Sequence, residues 1–345
     1  MNEEVVVKEE VGTMELSAYM TGVIDDLRRD KKPPAAHIYG CVLRSFIRFS
    51  ADGGEDGEQG EGEKDGEVLP ILMPEVFTPG RLKEYEQWMM QRKLSLNTVS
   101  TYMHTLRAVY NRWMPPGSAG HNPNLFDDVY TGVVSPTKRS LTDRQMEQLL
   151  EADPSLLSPQ QQAVLAYFLL MFLLRGMPFI DLAHLRKRDM RDGRITYCRH
   201  KTDKPITVRI PREALALIMK YADRHSASPY LFPILDAGIR DSWELYRNYR
   251  DALRHFNRRL AQVMNRLLPG VRVSSYTARH TWATLAYHSG QSVGIISQAL
   301  GHSSLRVTES YLKPFSNELV DKANRQLIAS VRKCKRKNDA VYNRV

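Results

Sequence analysis

The chain has 345 residues, of which 42% are hydrophobic and 26% are charged, and its formal net charge is +10. This composition is that of a soluble globular protein, and the length predicts two domains rather than one. The basic excess indicates an anionic partner. Three scattered cysteines predict neither a disulfide framework nor a zinc site.

The longest apolar run, residues 163–174, spans 12 residues, which is too short to cross a bilayer. The first residues, MNEEVVVKEEV, have neither the basic start nor the apolar stretch of a signal peptide. We therefore expect a cytoplasmic protein with no membrane partner.

An acidic run, residues 51–67 (ADGGEDGEQGEGEKDGE), interrupts the first third of the chain. It holds eight acids and one lysine, so the remaining chain carries +17. Because a Gly- and acid-rich run without aromatic residues cannot bury enough apolar surface to fold, we predict a disordered surface loop. It lies within a helical domain, residues 14–115, that follows a tail of residues 1–13.

Apolar residues recur at helical spacing in the stretches 16–27, 35–49, 80–91 and 97–113. In the last stretch the opposite face is polar or basic and carries no acid, which suits contact with a phosphate backbone. A solvated face would give the same pattern. The candidate DNA contacts on this face are Thr98, Thr101, His104, Arg107 and Arg112.

A stretch rich in Pro, Gly, Ser and Asn, residues 116–139, predicts a linker to a second domain at 140–315. Alternating apolar residues in 194–211 predict a β-hairpin or small sheet. The other elements are predicted to be helices, at 160–174, 212–225, 239–268, 277–288, 293–300 and 304–312. The predicted fold class is mainly α with a small β-sheet (α+β). The helix at 239–268 is basic and offers Arg247, Arg254 and Arg258 as further DNA contacts. An amphipathic helix at 316–331 and a basic tail close the chain.

Five residues of the second domain suggest one chemistry. Arg175 ends the apolar helix, Lys201 lies at the end of the first hairpin strand, Arg279 opens a helix, and His302 precedes Tyr311 by nine residues. Guanidinium groups bind phosphate oxygens bidentately, and a tyrosine with a pKa of about 10 needs cationic surroundings to attack a phosphate. A lysine can protonate the departing alkoxide. Lys204 lies close enough in sequence to compete with Lys201 for this role.

These residues stand in motifs, namely LLRGM, RHKTDK, YTARHTWAT and LGHSS followed by TESYL. In order and spacing, residues 140–315 resemble the catalytic domain of the tyrosine recombinases, also called the phage integrase family. The helical first third resembles the core-binding domain of the same family. The resemblance implies an enzyme of bacterial or mobile-element type.

The resemblance also implies a role for each residue. Tyr311 would form a 3′-phosphotyrosine, Arg175 and Arg279 would clamp the phosphate, Lys201 would protonate the leaving hydroxyl, and His302 would bond the phosphate. No metal, cofactor or ATP would be needed. Family members assemble as tetramers on double-stranded DNA and exchange a C-terminal helix, for which 316–331 is the candidate.

The chain departs from the family pattern at two positions. Tyr276 stands where the family usually has histidine, and we expect its hydroxyl to donate a hydrogen bond to the phosphate. Pro178 replaces an acidic residue, and the nearest acid, Asp181, is expected to take over its orienting role.

Three functions remain open from the sequence. The first is a site-specific recombinase, an integrase or invertase acting on inverted-repeat sites and located on the nucleoid. The second is an enzyme like type IB topoisomerase, acting on single sites. The third is a non-catalytic DNA-binding protein on the same fold.

Overall fold

The computed structural model describes residues 13–52, 70–134, 139–309, 312, 321 and 324–329. The chain divides into two compact units, residues 1–136 with 240–247, and residues 137–239 with 248–345. As the sequence predicts, the described residues are mainly helical and carry a small β-sheet, which is three-stranded and antiparallel. Within these ranges, no helix has the length and hydropathy needed to cross a membrane.

The first unit is a helical bundle whose apolar stripes meet in one core. That core includes the fully buried Met20, Phe46, Tyr85, Met103 and Leu106. Its helices are α1 (Leu16–Arg29), α2 (Pro33–Asp52), α3 (Met73–Val76), α4 (Pro79–Gln91) and α5 (Leu96–Trp113).

Two predictions for this part of the chain meet a different structure. Ala51 and Asp52, predicted to begin the acidic loop, are the last residues of α2, and the Asp52 carboxylate accepts a hydrogen bond from Trp88 Nε1 at 3.0 Å. The rest of that loop and residues 1–12 lie outside the described residues. In the predicted linker, apolar side chains at three positions are buried in the core of the first unit, so this stretch packs on the bundle; they are Leu125, Phe126 and Val129.

The second unit surrounds a helix that is apolar on every side. Its helices are α6 (Asp143–Leu150), α7 (Pro159–Leu173), α8 (Phe179–His184), α9 (Arg212–Tyr221), α10 (Ser242–Leu267), α11 (Thr277–His288), α12 (Val293–Leu300) and α13 (Leu305–Glu309). Its strands are β1 (Met190–Arg191), β2 (Arg194–Cys198) and β3 (Pro205–Arg209), with short 3₁₀ turns at Pro154–Leu156 and Lys187–Asp189. Residues 240–247, at the start of α10, group with the first unit.

The central helix α7 packs on both α9 and α11. Its N-terminus is closed by a capping box, in which the Ser158 hydroxyl accepts from the Gln161 backbone and the Gln161 side chain accepts from the Ser158 backbone. Strand β2 pairs with β3 so that Ile195 lies opposite Val208, and both are buried. The predicted hairpin is thereby confirmed, and β1 adds a third strand that the sequence pattern did not indicate.

The ends of two predicted elements fall differently in the structure. Strand β2 ends at Cys198, so Lys201 lies in the turn before β3 and not at the end of the strand. The helix predicted at 304–312 is described only as far as Glu309. Tyr311 and all of the predicted 316–331 helix except residues 321 and 324–329 lie outside the described residues.

Candidate active site

The sequence predicts Arg175 as the last residue of the apolar helix, but in the structure it lies in a left-handed turn after the helix has ended. Helix α7 ends at Leu173, and Arg175 and Gly176 have φ angles of 63° and 67°. A hydrogen bond of 2.8 Å from Met177 N to Met171 O closes the turn. The turn carries the Arg175 guanidinium to β3, where Nη1 donates to Thr207 O at 3.4 Å, beside an open groove of about 520 Å³.

Gly176 is packed directly against the helix that carries Arg279. A Cβ at this position would lie 3.2 Å from Arg279 Cα and 3.2 Å from Leu300 Cδ2. Only glycine combines the positive φ with so close an approach of two backbones. The spacing between the two candidate phosphate-binding arginines therefore depends on this residue.

We expect Gly176→Ala to destabilise the protein more than Gly193→Ala does. Both glycines have positive φ, at 67° and 68°, but a Cβ on Gly193 meets nothing within 4 Å. The difference between the two losses of unfolding free energy measures the effect of the close approach alone. Overpacking of this kind costs about 1–3 kcal/mol. Chemical denaturation of the two variants checks the prediction, and equal losses would contradict it.

Arg279 is the most enclosed charge of the candidate site, with 1% of its surface exposed. Its Nη1 donates to Gly176 O at 2.8 Å, and its Nη2 donates to Leu300 O at 2.7 Å. The same Nη2 lies 3.0 Å from His302 Nε2. One guanidinium thus joins the turn after α7, the end of α12 and the candidate phosphate-binding histidine.

His302 is oriented by the turn that ends α12. Gly301 adopts φ 66°, and His302 N donates to Ser297 O at 3.0 Å. Its Nε2 faces the Arg279 donor, so the ring proton sits on Nδ1 and is donated to Thr308 Oγ1 at 2.8 Å. Burial, followed by the charges of Arg279, Arg199 and Lys201, lowers the pKa of His302 to about 4. The imidazole is therefore neutral at physiological pH.

A second histidine, His184, has a similarly lowered pKa. Burial brings it to about 4, although Nδ1 is hydrogen-bonded to Ile180 O at 2.8 Å. The ordinary value is 6.5, so the unfolded chain takes up protons first as pH falls. Stability from both groups is present above the ordinary pKa and is lost as the pH falls toward about 4.

We expect the melting temperature to fall between about pH 7.5 and about pH 5. His184→Gln and His302→Gln should each reduce that fall, because each removes a group that resists protonation in the folded state. His225→Gln, at an exposed position, serves as the control. The melting temperature of each variant is measured at both pH values. If it falls by as much in the two test variants as in the wild type, the lowered pKa values of His184 and His302 are refuted.

Both candidate lysines lie in the turn between β2 and β3. The turn is closed by Arg199 N donating to Lys204 O at 2.9 Å and Asp203 N donating to Arg199 O at 2.8 Å. Lys204 Nζ donates to His302 O at 3.2 Å, whereas Lys201 is exposed and influences His302 through its charge. The structure thus engages Lys204 with the backbone and leaves the choice of Lys201 as general acid a prediction.

Tyr276 precedes α11 as its N-cap residue and is 42% exposed. Its ring packs edge-on against the His280 ring, with 5.2 Å between the centroids. Tyr276 and Arg279 thus lie at the same end of α11. Tyr311, the candidate nucleophile, lies outside the described residues.

Asp181, the acid expected to take over an orienting role, contacts the residues that follow β2. Its Oδ2 lies 3.2 Å from Arg199 Nε, and its Oδ1 accepts from His200 N at 3.0 Å. Burial raises the pKa of this carboxyl, although the His200 N–H and the Arg199 charge oppose the shift. Across the described part of the chain, no group of three or more His, Cys, Asp or Glu is arranged to hold a metal ion.

Two residues of this network were missed from the sequence, Arg199 and Thr308. Arg199 continues the buried face of β2 begun by Ile195 and Tyr197, at every second residue. That alternation was the signal that could have found it. Thr308 lies three residues before Tyr311, and nothing in the sequence indicated its hydrogen bond to His302.

The candidate DNA contacts on α5 have partners inside the first unit. His104 Nε2 lies 3.0 Å from Thr131 O, Thr101 Oγ1 donates to Asn97 O at 2.7 Å, and Arg112 pairs with Asp26 at 2.6 Å. Arg107 stacks over the Phe126 ring at 5.1 Å. Thr98, whose hydroxyl lies 2.8 Å from that of Ser95, belongs to the helix cap.

The candidate contacts on α10 are exposed, and two of them have neighbours on the same helix. Arg254 lies 3.4 Å from Asp251 across side chains that are 71% and 60% exposed. Arg258 Nη2 lies 3.0 Å from His255 Nδ1. Ion pairs at such exposure contribute little to stability, so these groups can exchange partners at low cost.

Comparison with known proteins decides the family. The model of the phage integrase family matches residues 139–318, which is just over half of the chain and includes every candidate catalytic position. The chain belongs to the phage integrase family. A curated relative is the tyrosine recombinase XerA of Pyrococcus furiosus, 26% identical over 192 residues, covering 54% of this chain and 62% of the relative.

Solved structures of the phage integrase family share the fold. A lambda integrase dimer bound to a COC′ core site aligns with a TM-score of 0.59 at 14% identity, over 90% of this chain and 81% of that one. The Tn1549 transposon integrase in complex with transposon right end DNA gives 0.57 at 13% identity, over 92% and 100%. XerH bound to palindromic difH substrate gives 0.56 at 17% identity, over 84% and 78%.

Proposed function

We propose that this protein is a site-specific DNA recombinase that cuts and rejoins DNA through a 3′-phosphotyrosine intermediate. One observation carries the proposal beyond family membership. The Arg279 guanidinium bonds both to Gly176, the neighbour of Arg175, and to His302, at 2.8 and 3.0 Å. This arrangement, in which Arg279 contacts His302 and the backbone next to Arg175, supports a role in phosphoryl transfer.

The proposed cleavage step is a direct displacement at phosphorus. The Tyr311 hydroxyl gives its proton to solvent and its oxygen bonds to phosphorus, while the bond from phosphorus to the 5′ oxygen breaks. Lys201 donates a proton to the departing 5′ oxygen, which leaves as a hydroxyl. Arg175 and Arg279 neutralise the charge that grows on the non-bridging oxygens. Rejoining reverses these steps with another 5′ hydroxyl, so the bond energy is conserved and no ATP is consumed.

Neutral His302 and Tyr276 are proposed to donate hydrogen bonds to the phosphate. For His302 this requires a proton on Nε2. In the structure Nε2 is instead the acceptor of a hydrogen bond from Arg279 Nη2, at 3.0 Å. An incoming phosphate favours the neutral tautomer protonated on Nε2, because its negatively charged oxygen accepts a hydrogen bond from the Nε2 proton. Tyr276 needs no such change, since a phenol keeps its proton at neutral pH.

The DNA partner is proposed to be a duplex with inverted-repeat sites, on which four copies assemble and exchange the segment 316–331. The protein would then act on the nucleoid. The exposed arginines of α10 supply the charge for phosphate contacts. In support, the structural neighbours include XerH on a palindromic substrate and a lambda integrase dimer on a core site.

The proposal is tested by covalent capture from random DNA. The protein is incubated in EDTA with nicked duplexes of randomised sequence, and DNA that resists extraction with detergent and phenol is sequenced. We expect one inverted-repeat sequence to be enriched, and a plasmid with two copies of it to be recombined without metal or ATP. Relaxation of a plasmid that lacks the sequence, without recombination, would indicate a topoisomerase-like enzyme instead. Binding without any adduct would indicate a non-catalytic protein.

A further inference from the structure

A buried ion pair lies behind the candidate active site. Asp181 in α8 and Arg199, one residue after β2, approach to 3.2 Å between Oδ2 and Nε. The two residues are only 3% and 5% exposed. Removing two charges from water costs free energy that their attraction often fails to recover, so such a pair is weak evidence of a purely stabilising role. Its other contacts indicate what it does.

The Arg199 end of the pair reaches the loop that carries His302. Arg199 Nη1 donates to Leu300 O at 2.9 Å, and this carbonyl also accepts from Arg279 Nη2 at 2.7 Å. Two guanidinium groups therefore share one acceptor at the last residue of α12. Negative partial charge collects at the C-terminal end of a helix, so this carbonyl attracts both.

The Asp181 end of the pair reaches the turn that carries the lysines. Asp181 Oδ1 accepts from His200 N at 3.0 Å, one residue before Lys201. Arg199 itself closes that turn through its own backbone N–H and carbonyl groups. The pair is thus bonded at one end to the lysine turn and at the other to the end of α12.

We propose that Asp181 and Arg199 are positioning residues that hold the Lys201 turn and the His302 loop in register with Arg279. The proposal rests on the recombinase function and adds to it two residues that do not touch DNA. It also accounts for the acid at position 181 in a chain that has Pro178 at the usual acidic position. Asp181 is connected to Arg279 through Arg199 and the shared acceptor Leu300 O, and among the described residues it has no such connection to Arg175.

The first test separates positioning from DNA binding. Arg199→Lys keeps the positive charge, but an ammonium lacks the planar guanidinium that pairs with Asp181 through Nε and donates to Leu300 O through Nη1. We expect single-turnover cleavage of the captured nicked duplex to slow by about 10²-fold, the scale of a small misplacement of catalytic groups, while DNA affinity holds. Arg194→Lys, at an exposed position on β2, should cleave as the wild type does. Equal rates in the two variants would overturn the proposal.

Asp181→Asn provides an independent variant of nearly the same shape. It should also slow cleavage, and the double variant with Arg199→Lys should be no slower than the slower single variant, because the two residues act as one unit. Fully multiplicative losses would contradict a shared role. The melting temperature of each variant is measured alongside, so that loss of folding is distinguished from loss of positioning.

A readout without DNA keeps the proposal separate from the proposed function. A histidine-selective NMR titration of Arg199→Gln should give a higher His302 pKa than the wild type, because a neighbouring positive charge is gone. Arg194→Gln should leave it unchanged, and an unchanged value in Arg199→Gln as well would overturn the placement of Arg199 beside the His302 loop. If the wild type forms no covalent adduct with any duplex, the recombinase function fails, and this titration alone decides the role of Arg199.

Discussion

Replacing Tyr311 with phenylalanine should abolish covalent capture of DNA while leaving DNA affinity nearly unchanged. The substitution removes one oxygen, the atom that is proposed to bond to phosphorus, and keeps the ring. In other enzymes, removal of a covalent nucleophile lowers the rate on the order of 10⁶-fold, so no adduct should be detected. The measurement is adduct formation on the captured nicked duplex, with affinity measured in parallel.

Tyr287→Phe is the matched control, a partly buried tyrosine in α11 with no proposed part in the chemistry. It should form adduct at the wild-type rate. Adduct in Tyr311→Phe would mean that another residue is the nucleophile. Peptide mapping of the wild-type adduct would then identify it.

Arg175→Lys should reduce the cleavage rate by about 10²–10³-fold, the loss typical of removing one donor to a developing oxyanion. Lysine keeps the charge and tolerates the left-handed turn equally well, but it cannot bind two phosphate oxygens at once. Because Arg175 is partly exposed and its one described hydrogen bond is a long 3.4 Å, the fold should be unaffected.

The control is Arg209→Lys, at the exposed end of β3. Single-turnover cleavage and the melting temperature are compared for both variants. A rate for Arg175→Lys equal to that of the control would exclude a bidentate clamp at this position. A large fall in the melting temperature of Arg175→Lys would instead show that Arg175 stabilises the folded protein.

The helices could be predicted because apolar spacing and caps agree in the sequence. Helix α5 begins after Ser95, whose hydroxyl accepts from Thr98 N at 3.2 Å, and its buried stripe follows the predicted period. The short helices α3 and α8 were missed, since four or six residues are too few to establish a period. In 116–139 the many turn-forming residues hid three apolar side chains that pack into the core.

The family residues of the site could be found from the sequence, but the contacts that join them could not. The apolar run of α7 continues through Leu174, so nothing indicated that the helix stops at Leu173 and that Arg175 turns left-handed. In RHKTDK, four of six side chains are basic, and the alternation that begins at Ile195 includes both Arg199 and Lys201, so it does not separate the buried arginine from the exposed lysine. Burial of a charge depends on partners distant in sequence, here Asp181 and Leu300.

Arg279 bonds two backbone carbonyls, Gly176 O just beyond the end of α7 and Leu300 O at the end of α12. Proteins usually bind phosphate at helix N-termini, where the partial charge is positive, whereas this site is built where two helices end and the partial charge is negative. The guanidinium therefore offsets the negative partial charge of these helix ends, beside the charges of Arg199 and Lys201. A neutral residue at position 279 would leave that partial charge uncompensated, so DNA affinity should fall and its salt dependence should become shallower.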